Sequence, residues 1–314
     1  MSQLDVNIIA PLGYTGPNLP GDNNFVQIVD NTGDTIFKSP GSNNLAIGSD
    51  TMSAIAGSGN IALGNSALKD TSFGDFNIAI GLESMKTNIN GVSNIAIGLQ
   101  ALGGTTVSPA TMGNDANIAI GNSSLIQIVQ AASNVAVGVN AGYNATDATL
   151  NTLLGSDAGI TTTTGSNNVC LGYNARTATP TTNNSVTLGN SSISVIRAAV
   201  TTITSLSDER DKKEIQDLPV GLEFLEKLKP VKFVWNDRDE DGKHDIEDFG
   251  FIAQDLKAAQ EESEASYLNL VYDENPEKLE ASYGKLLPVL VKAIQEMSSE
   301  IKLLKEEILT LKTK

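Results

Sequence analysis

Three groups of residues in this chain have types and spacings that could do chemistry. The first is the charged run Ser207-Asp-Glu-Arg-Asp-Lys-Lys-Glu-Ile215, in which a hydroxyl is followed a few residues later by an amine. A serine hydroxyl attacks a carbonyl well only when a neighbouring base takes its proton, and a lysine can be that base where burial keeps it neutral. Taken alone, such a run reads equally as a charged, solvated turn ahead of a helix. The second group is Asp237-Arg-Asp-Glu-Asp-Gly242, with carboxylates at Asp237, Asp239 and Asp241 followed by glycine, as at the start of an EF-hand calcium loop. The equivalent of the closing bidentate glutamate is the shorter Asp248, His244 stands where an aliphatic residue is usual, and strands rather than helices are expected on either side. An acidic hairpin tip is the preferred reading, and no metal or other cofactor is expected. The third group is the lone Cys170 and the lone His244. A single cysteine makes no intrachain disulfide, no zinc-type Cys/His spacing exists, and any histidine-dependent catalysis would have to use that one imidazole.

These residues sit in a chain of 314 residues with a formal net charge of −16, which repels phosphate backbones and anionic membrane surfaces on average. Nucleic-acid binding is therefore not expected. No apolar run of about 18 residues occurs and the first residues carry no secretory pattern, so no membrane insertion is expected and synthesis is placed in a cytoplasm. The average charge hides a division. Residues 1–206 hold 5 basic and 11 acidic residues with 24 glycines, whereas residues 207–314 hold 16 basic and 26 acidic residues with 4 glycines. So sharp a break at Leu206–Ser207 marks two physically different modules.

The first module is a repeat array. Asn-Leu-Ala-Ile-Gly48 returns as Asn-Ile-Ala-Leu-Gly64, Asn-Ile-Ala-Ile-Gly81, Asn-Ile-Ala-Ile-Gly98 and Asn-Ile-Ala-Ile-Gly121. It continues as Asn-Val-Ala-Val-Gly138, Asn-Thr-Leu-Leu-Gly155, Asn-Val-Cys-Leu-Gly172 and Ser-Val-Thr-Leu-Gly189. The glycines are spaced 16, 17, 17, 23, 17, 17, 17 and 17 residues apart. That period is too short for a helical repeat and suits one turn of a β-solenoid. Alternation within each phrase predicts one bulky and one small face. The expectation is a continuous core of Ile78, Ile80, Ile95, Ile97, Ile118, Ile120, Val135 and Val137. Ala79, Ala96, Ala119 and Ala136 would then face another backbone. The long spacing places an insertion around Gly103–Gly113. Ahead of the array, the β-rich runs of Phe25–Phe37 around Asn31-Thr-Gly33 predict a hairpin, and residues 1–40 read as a cap or attachment segment. The repeats of residues 41–190 resemble the head repeats of trimeric autotransporter adhesins and similar repeats in phage tail fibres, which implies a trimeric shaft.

The second module reads as a small α+β domain. Helices are expected at 220–228 and 253–260, and strands at Val231–Trp235, Phe249–Gln254 and Tyr267–Tyr272. Leu290, Ile294, Met297, Ile301, Leu304, Ile308 and Leu311 alternate spacings of 4 and 3, an uninterrupted heptad seam over about 284–314 that predicts a self-associating coiled coil. Isoleucine at a with leucine at d would by itself lean towards two strands; the repeats argue for three.

Several ordered motifs of this module agree with one family. They are Ser-Asp-x-Arg-x-Lys, the leucine-rich Pro219–Pro230, the aromatic strand ending in Trp235, Phe249-Gly-Phe-Ile-Ala-Gln254, and Tyr283-Gly-Lys-Leu-Leu-Pro-Val-Leu-Val-Lys-Ala-Ile-Gln-Glu296. Residues 205–314 resemble the intramolecular chaperone auto-processing domain at the C-terminus of phage tail fibres and endosialidase-type tailspikes. The resemblance implies a clamp that holds three chain ends in register while a β-shaft forms and is then released by peptide cleavage. It implies Leu206–Ser207 as the scissile bond, Ser207 as nucleophile and Lys212 as its base. Asp208 and Arg210 belong to the motif and are expected to position the loop, with no chemical step assigned.

The expected whole is mainly β, with a cap (1–40), a repeat shaft (41–190), a connector (191–206) and an α+β domain (207–314) ending in the coiled coil. The implied function is a homotrimeric virion tail fibre. Its expected partners are itself, other tail or baseplate proteins, and a host-surface receptor, glycan or protein. A bacterial adhesin or injection-machine fibre built from the same parts is the alternative. A glycan-degrading tailspike ranks below both, because acidic and aromatic residues are sparse in the repeats.

Overall fold

The computed structural model describes residues 28–29 and 35–37 as backbone, and residues 43–52, 57–70, 73–87, 90–104, 114–199, 203–236 and 245–313 in full. The chain divides into two compact units between Asn190 and Ser191. Ahead of the repeats, β1 (Ile28–Val29) pairs antiparallel with β2 (Thr35–Phe37), the pairing that the predicted hairpin requires.

Each repeat phrase forms one three-residue strand: β3 (Leu45–Ile47), β4 (Ile61–Leu63), β5 (Ile78–Ile80), β6 (Ile95–Ile97), β7 (Ile118–Ile120), β8 (Val135–Val137), β9 (Thr152–Leu154), β10 (Val169–Leu171) and β11 (Val186–Leu188). They stack in sequence order as one parallel sheet, like residue on like residue, making a β-solenoid. Further backbone bonds run from turn to turn at the other corners, such as Leu68 N–H to the Ser84 carbonyl at 3.0 Å and Ser66 N–H to the Ser49 carbonyl at 2.9 Å. Glycine closes each strand because neighbouring turns touch there. Gly64 sits at φ 134°, and a Cβ on it would lie 2.5 Å from the Gly81 carbonyl oxygen.

The two faces of each strand are the reverse of the sequence expectation. Ala62, Ala79, Ala96, Ala119 and Ala136 are fully buried inside the coil, while the flanking isoleucines and valines point outward and are half-buried to exposed. So short a turn encloses too narrow a lumen for a β-branched side chain at the strand centre. Alanine is what the approaching backbone of the same chain admits. Met52, Leu68, Met85, Leu102 and Leu125, from the opposite corner, supply the large core side chains. In the later turns the sizes exchange. Leu153 replaces alanine at the strand centre and glycines 142 and 159 replace the corner leucine, where a Cβ would lie 2.8 and 2.5 Å from the Leu153 methyls.

A buried asparagine ladder runs through the same stack. The Oδ1 of Asn94 accepts from the N–H and Nδ2 of Asn117, at 2.8 and 3.2 Å, and the Asn117 Nδ2 donates onward to the Ala131 carbonyl at 2.8 Å. Asn117 repeats this towards Asn134, and the pattern holds from Asn44 to Asn168. Only a side chain that both donates and accepts can satisfy the buried groups on each side. This is why the first eight phrases begin with Asn. In the last turn Ser185 ends the ladder on the Oδ1 of Asn168.

The second unit contains α1 (Leu222–Lys227), the antiparallel pair β12 (Pro230–Val234) and β13 (Glu247–Phe251), α2 (Ala253–Glu262), the pair β14 (Val271–Tyr272) and β15 (Glu280–Ala281), and α3 (Leu286–Lys312). Its core is Phe224, Leu256, Ala259, Ala265, Leu270, Leu286 and Val289. The strand expected over Phe249–Gln254 stops at Phe251, and α2 starts at Ala253. The strand expected over Tyr267–Tyr272 keeps only its last two residues, because Asn269 takes a left-handed conformation (φ 46°) after a 3₁₀ turn at Ser266–Leu268. Pro288 falls in the first turn of α3, where its missing N–H is not needed.

Candidate functional site

The segment Ser207–Lys212 is shaped by a single 3₁₀ turn, Glu209–Asp211. Asp208 caps it by accepting from the Arg210 N–H at 2.9 Å, and the Lys212 N–H closes it on the Glu209 carbonyl at 3.0 Å. Arg210 returns its guanidinium to the same carboxylate, Nε at 3.0 Å and Nη2 at 2.6 Å. The Arg210 side chain and backbone N–H together hold the Asp208 carboxyl below its usual range, and the Asp208 bond raises Arg210. Asp208 therefore spends its charge on Arg210 and on the turn.

The turn brings Lys212 back over Ser207. The Lys212 Nζ lies 2.6 Å from the Ser207 Oγ and 3.1 Å from the Ser207 carbonyl oxygen. This is hydrogen-bond reach for proton transfer, and a second N–H contact fixes the amine. Both side chains are exposed, and the preceding Leu206 is 98% exposed. The amine and the hydroxyl thus lie within hydrogen-bond reach inside one chain.

The heptad seam is the second functional feature. Leu286, Val289 and Ala293, near the start of α3, are buried in the unit's core. Leu290, Ile294, Met297, Ile301, Leu304, Ile308 and Leu311 form a continuous apolar stripe, with Ile294 63% exposed. A soluble helix seldom leaves so long a stripe in water. The base of α3 is locked by contacts that sequence reasoning missed. The Glu296 carboxylate accepts from the Leu222 N–H at 2.7 Å and so caps α1, and it packs where a Cβ on Gly221 would sit. The Tyr283 hydroxyl accepts from the Phe251 N–H at 3.1 Å and donates to its carbonyl at 3.2 Å. A glycine directly before a short helix with no Ser, Thr, Asp or Asn cap was the available signal for a cap supplied from elsewhere.

The calcium candidates Asp237, Asp239 and Asp241, with His244, lie outside the described residues. Asp248 is described, and its Oδ2 accepts from the Trp235 indole N–H at 3.1 Å. Among the described residues no cluster of three or more metal-ligating side chains occurs, and no helix is long and apolar enough to cross a membrane.

Comparison with protein-family models matches residues 207–263 to the family described as chaperone of endosialidase. The match opens on Ser207 and runs to the end of α2. No curated protein and no solved structure matches the chain.

Proposed function

We propose that the chain is a homotrimeric fibre of a virion tail. In this reading the C-terminal unit gathers three chains, keeps them in register while the solenoids fold, and is then released by autoproteolysis at Leu206–Ser207. The observation that carries it is the bare heptad stripe of α3 in a unit whose first half matches a chaperone family. A helix so patterned is completed by copies of itself. The strand-flanking side chains add support. Ile47, Ile97 and Leu154 lie on an outward apolar ridge along the sheet, a surface suited to burial against neighbouring solenoids once the ends are aligned.

For the self-cleavage, the support is the Lys212–Ser207 contact and a match that starts at the residue expected to become the new N-terminus. Assembly of the three units would cover the dyad and dry it, which favours the neutral lysine that a base must be. The freed shaft then meets a host-surface receptor, while tail or baseplate proteins anchor the other end. Denaturing mass measurement of the whole chain beside Ser207→Ala tests the cleavage. Wild type should give 1–206 and 207–314, and the variant should stay intact. Native mass spectrometry should show trimers for both; a monomer would overturn the fibre reading, and intact wild type would remove the protease alone.

A further inference from the structure

We infer that Ile203–Ser205 is the strand of a tenth solenoid turn, which docks in parallel on β11 and closes the open end of the sheet. β11 is the edge strand, with Val186 68% and Leu188 51% exposed. In earlier turns the corresponding strand is paired by the turn that follows. The Val169 N–H donates to the Ser185 carbonyl at 2.8 Å, and the Gly189 N–H returns a bond to the Leu171 carbonyl at 2.7 Å. A bare edge of this kind is a template for pairing with other chains, and solenoids cap their terminal repeats. The chain carries a matching segment. One 17-residue period after Val186-Thr-Leu-Gly189 stands Ile203-Thr-Ser-Leu206. The stretch between them opens as an inner turn does, Gly189-Asn-Ser-Ser-Ile193 repeating Gly121-Asn-Ser-Ser-Leu125. In the structure this segment is undocked, with Ile203 100% and Leu206 98% exposed, and apolar side chains so bare gain from burial.

The segment departs from the repeat in the ways a last turn should. Glycine ends the earlier phrases because the next turn's backbone stands where a Cβ would go; on Gly155 it would lie 2.5 Å from the Gly172 carbonyl oxygen. No turn follows the last one, so Leu206 fits where glycine stood. Threonine takes the strand centre, where the lumen opens to water. Thr187 of β11 is already half-buried there in place of the fully buried inner alanines, and Thr204 continues it. Docked in this register, Ile203 stacks on Val186, and the Leu188 carbonyl accepts from the Leu206 N–H as the Leu171 carbonyl accepts from Gly189. The proposed cut after Leu206 would then fall at the end of a repeat phrase, but the docking does not depend on it.

Paired cysteines in the full chain test the register. Leu188→Cys with Ser205→Cys would set two thiols side by side on neighbouring strands, with Cα atoms about 4.8 Å apart and so within disulfide reach. Leu188→Cys with Thr204→Cys would point them to opposite faces. Under mild oxidation the first pair should link within one chain at least about tenfold faster than the second, read by the masses of linked peptides from mixed light and heavy isotope-labelled chains. Equal linking of the two pairs, no linking, or links only between different chains overturns the tenth turn. Hydrogen exchange of the unaltered chain gives a reading free of substitutions. The amides of residues 203–206 should exchange at least about tenfold more slowly than in denatured chain, and unprotected amides overturn the inference. A wild-type chain that stays uncut yet shows the link and the protection removes the protease reading and keeps the tenth turn.

Discussion

At the scale of single residues, the asparagine ladder carries more than its share of the solenoid's specificity. Asn117 accepts two bonds from Asn134, one from its N–H and one from its Nδ2, each at 3.0 Å, and gives one to Ala131. Asn117→Ala would strip partners from the Asn134 N–H and the Ala131 carbonyl, both in the interior. Each orphaned buried group costs about 1–3 kcal/mol, so the full chain should lose roughly 2–5 kcal/mol, read as a lower denaturant midpoint of its β signal. Asn117→Asp is the stricter test. It matches the shape and keeps the acceptors but loses the donor and buries a charge, so it should destabilise at least as much at neutral pH. An Asp variant as stable as wild type would mean the ladder is not dry. Cys170 offers a second readout in the same stack. Burial pushes its thiol up to about 11, so the reactive thiolate is scarce near neutrality. Alkylation should therefore be negligible in the native chain at pH 8 and rapid after unfolding. Ready alkylation of folded protein would contradict the packing of β10.

At the scale of elements, the exchange of sizes between Leu153 and glycines 142 and 159 shows how the lumen is filled. Leu153→Ala would leave a void bordered by two glycines that have no side chains to fill it. The expected loss is about 2–5 kcal/mol, measured by denaturation of the full chain. Ala136→Leu, the same change in the opposite sense, should also destabilise, because it overpacks a turn whose corner is already set against Leu125. These effects explain what could be read from the sequence and what could not. The period, the strand position within each phrase and the corner glycine were all legible, because each is a local pattern. The direction of the strands was not. Alternation says that Ile78 and Ala79 face opposite ways, but which way is inward depends on lumen width, a property of the closed coil. In the second unit α1, α2 and α3 were legible from leucine spacing and the heptad. The strand proposed at 267–272 failed because Asn269 adopts a left-handed turn that apolar content does not reveal. The Ser207–Lys212 contact was expected from motif resemblance, as was a loop-positioning part for Asp208 and Arg210, whose clasp shapes the turn. Glu296 on the α1 N-terminus joins residues too far apart in sequence for any local pattern to connect.

At the scale of the whole molecule, a repetitive solenoid has a register problem. Sliding a neighbouring copy by one turn leaves an aliphatic side chain against an aliphatic side chain along most of the outer ridge, so the ridge penalises misalignment only where a turn departs from the rule. A device that fixes the ends supplies the register that the repeats lack. The heptad stripe of α3 has a defined beginning on the Glu296 and Leu286 contacts, and can do this. Under the proposed self-cleavage, the same assembly would also determine who cuts whom. The Lys212 Nζ and the Ser207 Oγ meet within one chain, and the proposed scissile bond is Ser207's own peptide bond to Leu206. Each copy should therefore cut only itself, even when assembly is what activates it. In trimers formed by co-expressing differently tagged wild-type and Lys212→Ala chains, wild-type copies should be processed at about their usual rate and every variant copy should stay whole, read by tag-resolved denaturing mass. The alternative is a lysine delivered from a neighbour, in which case wild-type partners would rescue cleavage of Lys212→Ala chains. Rescue would show that the contact within one chain is a resting arrangement exchanged on assembly; its absence would place activation in the drying of a dyad each chain already owns.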